Sequence, residues 1–446
     1  MQVQVSLNME ISTTASLSEM EQGIQEAGQQ AMREALKQAI RQQEDQQDCC
    51  PWCGQEQRRL EGTMRRVIAT VFGRIAVQRR RFRCQGCWRR WCPATRLFAE
   101  LSGGTVSRSL QEAAILAGSS WPYRVASRLL QKLSGACISA EEIRLLTNRQ
   151  GKQRATEQQE EAQAGDAPSI SPTVLAESAE QPMLVGLDGG WVCSREQRGG
   201  MEGKVAVVCS RVQDLPMPVF SSTFSWSERG ARRPRKQRHR LAERRDKATF
   251  RSSEQLGKLA GAAAQSLRPQ PRGTVVVVAD GANWIKTEQG RHFPGAICIL
   301  DWAHLWREVS ATLRMVGRVK QLPERERQYQ MFLLRSWLWQ GEVEQAVQAV
   351  RKLATGLDAE PLEKLNETIG YLENQRSWIG SYEQWQKLGY PVGSGMIERA
   401  VAVVINRRMK KRGMRWCRSN ATAIVALRTD VLNDDWILPQ QLRSLP

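Results

Sequence analysis

Apolar and polar positions change period several times along the chain, and each change marks a new element. Residues 18–46 set Ile24, Ala27, Ala31, Ala35, Leu36 and Ile40 in a polar background, which predicts an amphipathic helix packed on a partner or on the next domain. Two alternating segments follow, residues 63–72 and 74–82, broken at Gly73, and these read as a β-hairpin. Residues 109–118, 123–135 and 139–151 return to helical spacing. Gly118 and Gly135 fall where those helices should stop, and Ser139 with Glu142 makes a capping-box start. The three helices suit a helix-turn-helix reader of DNA or a plain packing bundle. Residues 151–181, rich in Gln, Glu, Ala, Ser and Pro, show no apolar period and read as a linker.

Beyond the linker the period shortens to that of strands. Met183–Val192 is a buried strand interrupted by Asp188 and glycines, Lys204–Val212 is its hairpin partner, and residues 218–226 offer a third. A helix over Ser253–Leu267 leads to Gly273–Ile285, where four consecutive valines predict a fully buried strand that ends at Asp280. Gly281 then lets the chain turn, leaving the carboxylate at the carboxyl edge of a sheet. A further strand from Ala296 runs into Asp301 and His304, which share a face if a helix begins near Asp301. A long helical stretch over residues 323–386, with Trp337, Trp339, Trp378 and Trp385 as packing residues, precedes a Gly-Ser-Gly start that places Glu398 in the first turn of a helix. Arg408, Lys411 and Arg412 are expected along one face of that helix.

Composition narrows the partners. The 446 residues carry a formal charge of +19 with 41% hydrophobic content, so a folded protein with a polyanionic partner is expected, nucleic acid being the commonest. Arg65, Arg66, Arg74, Arg79, Arg80, Arg81 and Arg83 cluster on the hairpin. Residues 229–251 hold Arg232, Arg233, Arg235, Lys236, Arg238 and Arg240 in a denser cluster. That second cluster suits either a solvated loop or a DNA-backbone contact, and the charge density favours the contact. No signal peptide or membrane span is evident, which leads us to expect a cytoplasmic protein.

In a reducing compartment the odd count of 11 cysteines argues for metal ligation rather than disulfides. Cys50 and Cys53 are answered by Cys84 and Cys87 across the hairpin, the spacing of a zinc ribbon that holds one structural Zn²⁺, with Cys49 and Cys92 near enough to substitute. The chain holds only three histidines, His239, His292 and His304, so other metal chemistry must rest on carboxylates. Asp188, Asp280 and Glu398 fall in the order β-β-β-α-β-α-β-helices-α, that of an RNase H-like sheet, which brings two strand-borne acids and a helix-borne acid together. Three clustered anions repel unless cations neutralise them. Hard oxygen donors favour Mg²⁺, with Mn²⁺ an alternative, and two ions about 4 Å apart suit in-line displacement at phosphorus.

The motifs GLDGG, VADGANWI, LDWAHL, GSGMIE and the tail R-x-K-K-x-G-M-x-W resemble, in order, those of bacterial insertion-sequence DDE transposases of the Kra-type group within the Mutator-like assemblage. The resemblance implies a catalytic triad of Asp188, Asp280 and Glu398, with Asp301 and His304 as an accompanying DxxH element that positions DNA or the acids. It also implies an all-helical insertion within the 118 residues (398 minus 280) that separate Asp280 from Glu398. The expected fold class is α/β: an RNase H-like mixed five-stranded sheet with a helical insertion, behind a zinc ribbon and a helix-turn-helix-like region. The expected boundaries are a helix over 1–46, a zinc ribbon over 47–100, a helical DNA-binding module over 101–150 and a linker over 151–181. The catalytic core over 182–320, the insertion over 321–390 and the returning core over 391–446 follow. The expected function is cleavage of double-stranded DNA at transposon ends and strand transfer into target DNA, by a homo-oligomer of at least two chains at the nucleoid. A catalytically silent DNA-binding derivative and an RNase H-like nuclease or resolvase are the alternatives.

Overall fold

The computed structural model describes residues 2–6, 9–95, 97–101, 104–164, 182–213, 240–267 and 273–435. It divides into two units, Met1–Gln150 and Gly151–Trp436.

The first unit opens with α1 (Leu17–Asp45), started by a capping box in which Ser16 and Glu19 exchange hydrogen bonds. Strands β1 (Arg58–Thr70) and β2 (Gly73–Cys84) pair antiparallel around a two-residue turn, and β3 (Arg90–Trp91) adds to β2. Ile68, Ile75 and Val77 of the hairpin pack with Phe98 and Leu101 and with Leu36 and Ile40 of α1, so the helix finds its apolar partner within its own unit. Three helices follow: α2 (Arg108–Ser120), α3 (Tyr123–Ser134) and α4 (Ala140–Ala164). Gly135 ends α3 in the left-handed conformation as expected, and Ser139 Oγ accepts from the Glu142 N–H at the start of α4. Gly118 does not stop its helix. It lies inside α2, where an added Cβ would meet Thr147 Oγ1 at 2.3 Å and Ile143 Cγ2 at 2.8 Å, so its smallness permits a close crossing with α4.

Residues 151–164 were expected as linker and are instead the second half of α4. Gln, Glu and Ala are good helix formers, and the inward positions Gly151, Ala155, Gln158 and Ala162 have helical spacing that the polar composition conceals. This half packs on α14 (Arg418–Leu432): Gly151 abuts the Ala423 carbonyl, Gln158 Nε2 donates to Asp430 Oδ1 at 2.8 Å, and Arg154 Nε donates to Asp430 Oδ2 at 2.6 Å. The rest of the expected linker lies outside the described residues.

The second unit is a five-stranded mixed sheet in the order β6-β5-β4-β7-β8. β4 (Met183–Cys193), β5 (Gly200–Gln213) and β6 (Arg240–Thr249) form an antiparallel meander, while β7 (Val275–Ala279) and β8 (Ile297–Leu300) run parallel to β4. The four valines lie in β7, every residue of which is buried. One strand expectation is untested and one segment differs from its reading. The segment 218–226 lies outside the described residues, and among the described residues the strand after β5 is β6, inside the segment expected as a DNA-contacting basic loop. Its charges hide an inward alternation of Asp246 and Ala248, continued by Phe250 just beyond the strand. Its outer edge is covered by Asn433, whose side chain accepts from the Asp246 N–H at 2.7 Å and donates to the Asp246 carbonyl at 3.1 Å, as a neighbouring strand would.

α5 (Ser253–Leu267) and α6 (Asn283–His292) connect the strands, and α7 (Trp302–Val319) leaves β8. The helical stretch resolves into α8 (Glu324–Gln340), α9 (Val343–Lys352), α10 (Ala359–Asn374) and α11 (Tyr382–Lys387). Trp339 and Trp378 are buried, whereas Trp337 and Trp385 pack at the margin of the same core. Last come α12 (Gly395–Val401), a π-helical turn over Ala402–Asn406, and α13 (Arg407–Met409), which precede α14. No helix among the described residues is long and apolar enough to cross a membrane.

Candidate functional site

Strand register sets the level of each acid. Gly186 of β4 pairs with Val278 of β7, and Ala279 of β7 pairs with Leu300 of β8. Two steps further along β4 and β7, and one step further along β8, the matching positions are Asp188, Asp280 and Asp301. Three acids therefore occupy one row across three parallel strands about 4.8 Å apart.

The face beneath which Asp188 lies is shaped by its neighbours. Gly186 and Gly190 flank it at the two-residue repeat and so share its face. A Cβ at Gly186 would stand 2.9 Å from Ile397 Cβ, and one at Gly190 would stand 2.9 Å from Val401 Cγ1. The two glycines let α12 lie directly on β4, and Glu398 projects from that helix. Asp188 is partly buried, and its carboxyl is pushed up to about 6 chiefly by burial. The charges of Asp280 and Glu398 add to the rise, and the Gly189 N–H, which donates to Asp188 Oδ1 at 2.6 Å, opposes it. Asp188 thus feels the charges of the other two expected acids. Asp280 Oδ1 accepts from the Ala282 N–H at 3.0 Å, which fixes its carboxylate as the chain turns.

Asp301 is the N-cap of α7 and is 1% exposed. Its Oδ1 accepts from the His304 N–H at 2.9 Å, and its Oδ2 accepts from the Ser394 N–H at 2.7 Å and from the Ser394 hydroxyl. Burial would raise its pKa, but these donors and the His304 imidazole outweigh that and hold it well below the usual carboxylate range. His304 Nδ1 lies 3.4 Å from Asp301 Oδ2, and the adjoining carboxylate raises the imidazole pKa. Ser394 Oγ is also 3.2 Å from Glu398 Oε1. Asp301, His304 and Glu398 consequently form a group whose ligand atoms all lie within 4.8 Å of one another, whereas Asp188, Asp280 and Glu398 do not form such a group among the described residues. Glu398 leans toward Asp301 because Ser394, at the N-cap of the same helix, makes no cap of its own and uses its hydroxyl at this junction.

Ser394 was not expected from the sequence, nor were Gln375 and Tyr382. Gln375 Nε2 donates to the Gly281 carbonyl at 2.9 Å, and the Tyr382 hydroxyl donates to the Leu300 carbonyl at 2.9 Å. The Gly-Ser-Gly start was the available signal for Ser394.

The four expected cysteines converge in the first unit. Cys50 and Cys87 sulfurs are 3.6 Å apart, and those of Cys53 and Cys84 are 3.5 Å apart. A tetrahedron with Zn–S near 2.3 Å has S···S edges of about 3.8 Å, so these four can bind one zinc ion. Cys49 is exposed outside the group, and Cys92 packs on the hairpin core, which leaves Cys50, Cys53, Cys84 and Cys87 as the set. The backbone N–H groups of Cys87 and Gly86 point at Cys84 Sγ and bring its thiol down to about 6.

The basic residues divide. Arg81 is exposed, 3.9 Å from Glu61. Arg79 lies over the Phe98 ring, and Arg80 is paired with Glu44 and Asp45 of α1, so both are partly occupied within the unit. Arg408 is a correction: it is 1% exposed with its guanidinium 5.1 Å from the Trp416 ring centroid, so it is a packing residue and not a surface contact. Lys411 and Arg412 are exposed, but they belong to the turn after α13, because the helix ends at Met409 before Gly413 turns with φ +78°. Arg232, Arg233, Arg235, Lys236 and Arg238 lie outside the described residues. Arg240 begins β6.

Comparison with known protein families found no match, and comparison with curated proteins found none. Among solved structures the chain is similar to the Drosophila P element transposase strand transfer complex, at 10% identity over 79% of this chain and 85% of that one, with a TM-score of 0.22. A similarity that slight bears on neither fold nor function.

Proposed function

We propose that this chain is a DNA transposase of an insertion sequence, a DDE enzyme with an RNase H-like catalytic core. The row of Asp188, Asp280 and Asp301 at one level of three parallel strands, with the Glu398 helix seated on the same face by two glycines, carries this reading. The strand order, with one antiparallel meander and two added parallel strands, also fits the RNase H-like arrangement.

Asp188, Asp280 and Glu398 would hold Mg²⁺: burial is the main cause of the raised Asp188 carboxyl, and the charges of Asp280 and Glu398 add to it, a setting that a bound cation would relieve. When bound, the metal supplies charge neutralisation and activation of the attacking oxygen, water first and a 3′-hydroxyl second. Asp301 and Ser394 orient Glu398, and the His304 imidazole adjoins the Asp301 carboxylate. The first unit, with its cysteine cluster and helices, would bind transposon ends as one subunit of at least a dimer. Exposed Arg81, Lys411 and Arg412 suit phosphate contact.

The test is Asp280→Asn on an oligonucleotide that carries the element's end. Mg²⁺-dependent cleavage and strand-transfer products should fall by several orders of magnitude. Cleavage at the wild-type rate would refute the assignment, and cleavage without strand transfer by the wild-type protein would point to a nuclease instead.

A further inference from the structure

Trp52 and Trp88 are 50% and 64% exposed, unusual for the largest apolar side chain, and both adjoin the four-cysteine cluster. Trp52 sits between Cys50 and Cys53, Trp88 directly follows Cys87, and the Cys50 and Cys87 sulfurs are 3.6 Å apart. Trp88 also holds φ +62°, a left-handed conformation that a bulky residue adopts only when the surroundings impose it. Neither the fold nor the proposed catalytic site uses these rings.

Each ring carries a guanidinium on one side: Arg83 lies 5.0 Å from the Trp88 centroid, and Arg89 lies 5.6 Å from that of Trp52. Glu61 lies within ion-pair range of Arg81, Arg83 and Arg90, so one carboxylate is shared among three cations and the patch keeps a positive surplus. Exposed flat aromatic faces in a positively charged setting match nucleotides whose bases are unstacked and whose phosphates are near.

We propose that the cysteine-cluster end of the first unit is a stacking platform for unpaired nucleotides, with Trp52 and Trp88 receiving base faces and the surrounding arginines the backbone. Duplex DNA cannot use the rings in this way, because its base faces are already stacked on one another. The platform goes beyond the proposed transposase reading and does not depend on it, since binding requires none of Asp188, Asp280 and Glu398.

The experiment is fluorescence anisotropy with the zinc-loaded full chain, titrated into labelled oligo-dT of twenty nucleotides and into a twenty-base-pair duplex in Mg²⁺-free buffer. Trp52→Ala and Trp88→Ala should each weaken oligo-dT binding by about tenfold, the scale of one base–aromatic stack, and leave duplex binding within twofold. Trp88→Phe should restore most of the loss. Zinc content of one per chain in every variant shows that the cluster is intact, and Trp88→Gly, which relieves the left-handed backbone, serves in place of the alanine variant if that one loses metal. Equal losses on both DNAs, or no loss on oligo-dT, would overturn the proposal.

Discussion

Asp188→Asn should make the metal-free protein more stable while removing its proposed activity. Asp188 carries its charge at a cost, since its carboxyl is pushed from an ordinary 3.8 to about 6 by burial and by the neighbouring acids. Two pKa units correspond to about 3 kcal/mol, and partial exposure of the site reduces this to roughly 1–2 kcal/mol through solvent screening. The sign follows from linkage. A raised acid pKa means the folded state binds the proton more tightly, so the penalty is complete above pH 6, shrinks between pH 6 and 4, and vanishes below the unfolded value. Asparagine has the same shape without the charge. At pH 8 without Mg²⁺ the variant should melt higher than wild type by about 2–8 °C, using about 2–4 °C per kcal/mol for a unit of this size. At pH 4 the two should coincide, because effects common to both proteins cancel in the difference. Differential scanning fluorimetry across that pH range measures it. An Asp188→Asn protein that is less stable at pH 8, or a difference that does not close on acidification, would refute the picture of a carboxylate strained by burial and by neighbouring acids. Adding Mg²⁺ should then stabilise wild type more than the variant.

Cys84→Ser should drop bound zinc from about one ion per chain to near zero by elemental analysis, because a structural site that loses one of four thiolates loses most of its affinity. Imidazole NMR should separate two histidines: His304 titrating above 6.5 because of the Asp301 carboxylate, and His292 below it because of burial. The raised His304 stabilises the fold below pH 6.5, a contribution lost as pH rises through its folded pKa, and Asp301→Asn should move its titration downward. A His304 that stays raised in that variant would show another group to be responsible. Gly186→Val should cost about 1–3 kcal/mol by overpacking against Ile397 and Met396, whereas Gly290→Ala, with open space around it, should be neutral or slightly stabilising in the same melt.

The residues that were legible in the sequence are those whose role is local. The valine run and the turn at Gly281 mark β7 and its terminal acid, since a buried parallel strand reads as a continuous apolar run. The paired cysteine knuckles mark their own cluster. What the sequence concealed depends on packing that only the folded chain brings about. β6 reads as a charged loop because its buried positions are few, Asp246, Ala248 and Thr249, and Asp246 is buried against Arg244. The second half of α4 reads as linker because the helix buries Gln158 and half-buries Arg154, which share Asp430, some 270 positions later, as a partner. Arg408 reads as a surface cation because nothing local reveals that Trp416 will cover it.

The same reasoning locates what sets Glu398 beside the acid row. The helices between β8 and α12 return through four hydrogen bonds that end at the carboxyl tips of β7 and β8. Gln375 reaches the Gly281 carbonyl, Tyr382 the Leu300 carbonyl, Ser394 the Asp301 carboxylate, and the Trp302 N–H donates to the Val392 carbonyl. The aromatic contacts of Tyr382 with Trp302, Trp339 and Trp385 hold the second of these in place. Each bond joins residues 82 to 94 positions apart, so none has a sequence signature, yet together they fix the entry of α12 more tightly than the length of the insertion suggests. The two glycines beside Asp188 then determine how close that helix can come. Glu398 is thus placed by a strand-end clamp on one side and by the absence of side chains on the other.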